Sequence, residues 1–240
     1  AGSPYVMWYW KAGGAAVSNT DGTITSQVSA DVDAGFSIVK WTGNNLAGKT
    51  IGHGLSSTPE LYIIKRTSAA LAWQVNLSSL VTGTEGYLLL DRTLSMYTTF
   101  PNYYTSANNT VLSTNGTSTA ERQYNNQSAN YIAYCFHSVA GYSKIGSYTG
   151  TGATGNNIVT GFEPAWVIIK STSSTGTAWN MWDNKRTPYD MLRANTSDSE
   201  FSGPGRITFS TTGFQLLDND ASRNSSGGNY IFMAFAADPT

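Results

Sequence analysis

NYIAYCF, residues 130–136, recurs 99 residues on as NYIFMAF, residues 229–235, and the same pattern opens the chain as PYVMWYW, residues 4–10. In each copy a β-branched residue (Val6, Ile132, Ile231) is followed four positions later by a large aromatic one (Trp10, Phe136, Phe235). Side chains alternate sides along a strand, so these pairs share one face. The other face carries Tyr5, Tyr131 and Tyr230 and is largely apolar as well. A strand apolar on both faces is a central strand covered twice. The first copy is far shorter than the roughly 20 residues that a membrane helix needs. It also lacks the basic region and small-residue cleavage site of a secretion signal.

Other segments repeat in the same order. GFSIV (35–39) matches GYSKI (141–145), and WTG (41–43) matches YTG (148–150). PELYIIK (59–65) matches PAWVIIK (164–170), Trp73 matches Trp179, and LSTNG (112–116) matches FSTTG (209–213). The drifting offsets point to a duplicated unit with loop insertions, one copy over 35–136 and the next over 141–235. Each unit reads as six or seven short strands punctuated by Gly, Asn, Ser and Pro. In the first these are GFSIVKWT, LYIIKRT, LAWQVNL, GYLLLD, TVLST and YIAYCF. No stretch shows sustained apolar residues at helical spacing, and the best candidate, SQVSADVDA (26–34), is polar and β-branched.

The expected fold is all-β, with little or no helix: two tandem, duplicated antiparallel β-sandwich units of jelly-roll-like form, or one larger sandwich made from both. Residues 1–34 are read as an N-terminal orphan strand followed by a polar linker over 11–34. The first sandwich then covers 35–139 and the second 140–240, joined by HSVA (137–140). Three copies of the closing strand against two of everything else leave residues 4–11 without a unit. Folding back onto the same chain is the favoured placement; insertion into a neighbouring subunit is the alternative.

Of the 240 residues, 12% are charged and 12% aromatic, 24 are glycine, and the net charge is -1. That aromatic content argues against disorder. No basic run is present, which disfavours a nucleic-acid partner. The single Cys135 excludes an intramolecular disulfide. It aligns with Tyr9 and Ala234, so its expected role is packing.

The chain's chemistry-bearing residues fall into none of the spacings that a reaction or a metal requires. His53 and His137 stand apart from any Cys or acidic companion at metal-ligand spacing, and the counterpart of His53 in the second unit is Thr160. His53 therefore reads as a turn histidine bonding backbone, and His137 as a strand-end surface residue. Glycosidases need two carboxylates roughly 5–9 Å apart. Glu60, Glu163, Asp91, Asp183, Asp218 and Asp220 instead sit at strand ends or in turns. DVD (31–33) and DND (218–220) lack the glycine and terminal glutamate of a calcium-binding loop. No catalytic residue, metal or cofactor is expected. Sequons at Asn76, Asn115, Asn195 and Asn224 fit the chance level of an Asn-, Ser- and Thr-rich chain. Trp8, Trp10, Trp73 and Trp179 fit core positions. Trp41 and Trp182, closer to turn residues, are the candidate ligand-binding residues, as exposed rings for stacking on a sugar; partial burial at a sheet edge or unit interface is the competing reading.

KAGGAAVSNTDGTITSQVSADVDAGFSIVKWTG (11–43), IGHGLSSTPELYIIK (51–65) and NYIAYCFHSVAGYSKIGSYTG (130–150) resemble a repeat family of bacteriophage virion proteins, often tail-fibre or structural proteins of marine and cyanobacterial phages. The resemblance covers nearly the whole chain. In such proteins the segment like YVMWYWKAGG typically follows another copy of the repeat. The resemblance implies a non-enzymatic structural protein of a tail fibre, spike or other appendage, located on the extracellular virion surface. Its implied partners are copies of itself, other virion proteins and host-surface glycans, with no membrane insertion. A carbohydrate-binding module is the alternative; a glycan-cleaving enzyme is disfavoured by the missing carboxylate pair.

Overall fold

The computed structural model describes residues 5–78, 86–98, 105–114, 124–186, 190–203 and 206–237. Pro4, Asn115 and Gly116 of the motifs above lie outside them. The described residues form strands and no helix. The first half holds β1 (Val17–Asn19), β2 (Ser26–Asp31), β3 (Phe36–Thr42), β4 (Lys49–Gly52), β5 (Leu61–Arg66), β6 (Gln74–Leu77), β7 (Tyr87–Leu89), β8 (Thr105–Ala107), β9 (Val111–Thr114) and β10 (Asn130–Phe136). The second holds β11 (Ser143–Thr149), β12 (Asn156–Val159), β13 (Trp166–Ser171), β14 (Asn180–Asp183), β15 (Leu192–Arg193), β16 (Ile207–Ser210), β17 (Gly213–Leu216) and β18 (Asn229–Phe235).

These build four antiparallel sheets. A seven-stranded sheet runs β1-β2-β3-β10-β5-β6-β7, beside a three-stranded β4-β9-β8. A five-stranded sheet runs β11-β18-β13-β14-β15, beside a three-stranded β12-β17-β16. Apart from β1 and β2, the two halves have the same strand order. β10 and β18 are the central strands, as their two-faced apolar pattern requires. Tyr131, Ala133 and Cys135 of β10 join Ile51 and Leu112 in a core under the first small sheet. Tyr230, Phe232 and Ala234 of β18 join Phe214 and Leu216 under the second.

The opposite faces of both central strands meet in a third, shared core. Phe136 and Phe235 touch there at 6.1 Å between centroids, and Ile145, Trp166, Ile168 and Trp179 pack with Leu61, Val75 and Leu88. The layers therefore run small sheet, large sheet, large sheet, small sheet. The sandwiches are fused through their large sheets rather than strung in tandem. Each fully buried large apolar side chain in such a core is worth about 1.5–3 kcal/mol. The indole N–H of Trp179 adds a bond across the seam, donated to the Leu89 carbonyl at 2.9 Å.

Three expectations need correction. Residues 11–34 are not a linker, because β1 and β2 extend the first sheet beyond β3, and Ile24 and Val28 enter its core. The segment's polarity conceals this. Ser26 is buried with its hydroxyl donating to Gly52 O at 2.8 Å, and Ser29 donates to Gly14 O at 2.7 Å, so strand positions are satisfied without apolar residues. Residues 5–10 form no strand, although Trp8 and Trp10 pack against the shared core. Finally, GFSIV and GYSKI are out of step by one residue. Phe36 opposes Phe136, whereas it is Ser143, not Tyr142, that opposes Phe235.

In the corrected register Val39 corresponds to Gly146 and Ala133 to Phe232. Val39 pairs with Ala133 across β3–β10, and Gly146 with Phe232 across β11–β18. The bulk has changed sides: a Cβ on Gly146 would lie 2.7 Å from the Phe232 ring. Gly146→Val should therefore cost roughly 1–3 kcal/mol by overpacking, and Phe232→Ala roughly 3–5 kcal/mol by leaving a cavity. The double variant restores a Val–Ala pair, so urea denaturation should show it less destabilised than the two losses combined. Simple additivity would refute the steric coupling.

Candidate functional site

Trp41 and Trp182 are not exposed. Trp41 is 4% accessible, stacked on Tyr131 at 5.2 Å, with its indole donating to Tyr124 O at 3.0 Å. Trp182 is 0% accessible, within the core beneath the second small sheet. Both lie on strands whose faces are covered by a second layer, so neither ring is open to a sugar. Tyr148 stacks on Tyr230 at 5.1 Å in the place that Trp41 and Tyr131 hold in the first half, which marks this as a repeated packing element.

The titratable residues are drawn into structure. His53 is buried; Leu55 N donates to its Nδ1 at 3.1 Å, so Nε2 carries the proton and donates to Asn108 O at 3.0 Å. Thr160 closes the same turn, with its Oγ1 accepting from Phe162 N at 3.4 Å, which explains how Thr replaces His. His137 is half-buried rather than a surface residue. The Cys135 thiol, fully buried, is pushed up to about 12, which holds it protonated. Lys170 is buried with Nζ donating to Thr177 O and Oγ1 at 2.9 Å each, and burial brings its pKa down to about 8.

The acids likewise close turns or pair with cations. Glu60 accepts from Ser138 N in the connector between the halves, and Asp91 from Trp73 N. Asp183 pairs with Arg186, and Asp218 with Arg223. Among the sequons, Asn76 and Asn224 are buried and the Asn195 side-chain Oδ1 accepts from Trp179 N at 2.9 Å; Asn115 is outside the described residues.

The sequence reading missed a repeated asparagine. Asn125 accepts from Asn44 N and donates to Leu46 O, and Asn224 accepts from Thr151 N and donates to Ala153 O. Both are 0% accessible and sit five residues before the NY of a central strand. Their 99-residue offset was a legible signal, hidden by the dissimilar loops around them.

This alignment brings two pockets into correspondence, one at the same place in each half. The first, of about 230 Å³, is lined by Arg66, Gln74, Tyr87, Tyr97, Tyr124 and Tyr131 among others. The second, of about 410 Å³, has Met191, Arg193, Phe201, Arg206, Asp218 and Arg223 in its wall. Tyr87 and Tyr97 form an isolated bridge in one, Met191 and Phe201 in the other, and Tyr124 corresponds to Arg223. The second pocket is saturated with internal pairs: Arg223 with Asp218 and Asp220, and Arg193 with Asp198. In the first, Tyr87 and Tyr97 stack nearly parallel (11°) at 4.9 Å. The Tyr124 hydroxyl there is buried with no partner among the described residues, and burial raises its pKa well above 10.

A second exposed feature lies at the N-terminal end. Side chains of residues 5–10 alternate: Trp8 lies 6.2 Å and Trp10 5.2 Å from the Trp166 ring, with Arg186 over Trp8 at 5.6 Å. Tyr5, Met7 and Tyr9 are 91%, 80% and 84% exposed.

The buried neutral His53 has a pH consequence. Burial lowers its pKa from 6.5, so the stability it contributes is present above pH 6.5 and lost as pH falls toward the folded value. His53→Asn keeps an acceptor two residues before Leu55 and does not titrate. Its melting temperature should lose the acid-side decline that wild type shows below pH 6.5; an identical decline in both would show that His53 is not responsible.

No curated protein and no solved structure matches the chain. A family match does extend over residues 1–239, taking in both halves, both pockets and the N-terminal segment. The chain belongs to the family described as "Domain of unknown function (DUF7483)".

Proposed function

We infer that this is a non-enzymatic structural protein of a phage particle, placed in a surface appendage and assembled with copies of itself. The carrying observation is the contrast among the three copies of the two-faced strand. β10 and β18 are flanked by strands on both edges and covered on both faces. Residues 5–10 bury only two side chains: Trp8 and Trp10 keep the parity of the residues that face the shared core in β10 and β18 and pack against it. Val6, on the same side, is 43% exposed. Tyr5, Met7 and Tyr9 keep the parity of Tyr131, Ala133 and Cys135, yet stand in solvent. Among the described residues nothing pairs with the segment's backbone, and no charge interrupts it, which is the condition under which an extended segment recruits another. The occupant that fits is residues 5–10 of a second copy, because an uncharged, extended, aromatic segment is self-complementary across a two-fold axis. The resemblance to phage virion repeats supports the location.

Sedimentation velocity tests the assembly. Wild type should form dimers or larger species, and Tyr5→Ser/Met7→Ser/Tyr9→Ser should be monomeric at an unchanged melting temperature, since the anchoring Trp8 and Trp10 remain. A wild type that stays monomeric as concentration rises would end this reading. Antibody against the chain should decorate the appendages of particles whose genome encodes it; unlabelled particles would remove the virion assignment.

A further inference from the structure

We propose that the tyrosine-lined pocket of the first half is a binding subsite for one neutral sugar ring of a glycan. Its lining includes the Tyr87–Tyr97 pair, two rings lying nearly flat against each other and both half-buried, so that ring surface remains accessible. Such a surface suits the apolar C–H face of a pyranose, as aromatic rings combine apolar area with a polar tip. A sugar also carries hydroxyls around its rim, and the pocket holds a group that calls for one. Tyr124 is 6% accessible, lines the pocket and has, among the described residues, no hydrogen-bond partner for its hydroxyl. A buried polar group left unpaired is costly and demands an explanation. Tyr131 accepts from Asn126 N at 3.0 Å, whereas the Tyr124 hydroxyl has neither a donor nor an acceptor partner among the described residues. The described lining contains Arg66 and no carboxylate.

The corresponding pocket of the second half provides an internal contrast. There the paired rings are replaced by Met191 and Phe201, and the unpartnered phenol by Arg223, whose guanidinium is taken by Asp218 and Ser222. The two halves therefore share a pocket by topology and differ in its chemistry. The saccharide chemistry belongs to the first. This assignment is independent of self-assembly, since the pocket shares no lining residue with the N-terminal segment.

Ligand-observed saturation-transfer NMR on the full chain tests it, with lactose, cellobiose, maltose and chitobiose as neutral probes and glucuronic and sialic acid as charged ones. At least one neutral probe should receive saturation at millimolar concentration. Tyr97→Ala should weaken its binding by roughly tenfold or more, as loss of a ring anchor does. Tyr124→Phe removes a single oxygen, keeps the fold even if Tyr97→Ala does not, and should also weaken it. Arg206→Ala, in the other pocket, should leave binding unchanged. No saturation of any neutral probe, meaning that water alone fills the pocket, would overturn the proposal. So would binding restricted to the acidic sugars, binding that survives Tyr124→Phe undiminished, or binding abolished by Arg206→Ala.

Discussion

The architecture depends on a strand that cannot be left half-covered. β10 and β18 are apolar on both faces, so each needs a layer above and a layer below. Two such strands in one chain could have recruited four separate covers. Here one side of each is satisfied by the other, through Phe136 and Phe235, and only the outer sides need their own small sheets. The shared interface thus removes more apolar surface from water than two isolated sandwiches of the same sequence would. It also makes the folding of each half conditional on its neighbour. The connector is short because the halves are stacked rather than spread, and Glu60 ties it down by accepting from Ser138 N.

The central strands were legible because their signal is strong and local: a period of two, aromatic residues on both sides, and a near-verbatim repeat. β3, β5 and β13 were legible for the same reason. β2 was not, because Ser26 and Ser29 are satisfied by buried hydroxyl-to-carbonyl bonds rather than by apolar contact, and composition reads such a strand as a linker. Residues 5–10 misled in the opposite direction. Their sequence is that of a central strand, but strand identity requires partners for the backbone, which no pattern within the segment can supply. The one-residue slip between GFSIV and GYSKI arose because Phe36 and Tyr142 are both aromatic residues following glycine. Ladder register, not residue likeness, decided it.

The pockets were less legible than the fold. Trp41 and Trp182 drew attention because they neighbour turn residues, yet adjacency in sequence says little about cover from another sheet. Tyr87, Tyr97 and Tyr124 are scattered across the first half and converge only when β7 and the turn before β10 are brought together. Asn125 and Asn224 would have revealed the equivalence of the two loops, had their offset been read beside that of the strands that follow them.

The exchange of bulk between Val39–Ala133 and Gly146–Phe232 bears on how the chain avoids pairing with itself wrongly. A protein with two nearly alike central strands can place either one between either pair of neighbours while it folds. Were β18 to enter the first sheet in place of β10, Phe232 would be driven against Val39. Were β10 to enter the second, Ala133 beside Gly146 would leave a void. Neither hybrid packs, and only the native assignment fills both sites. The divergence of two residues in each half thus works as a lock-and-key code between strands, and keeps a repetitive chain from shuffling its own halves.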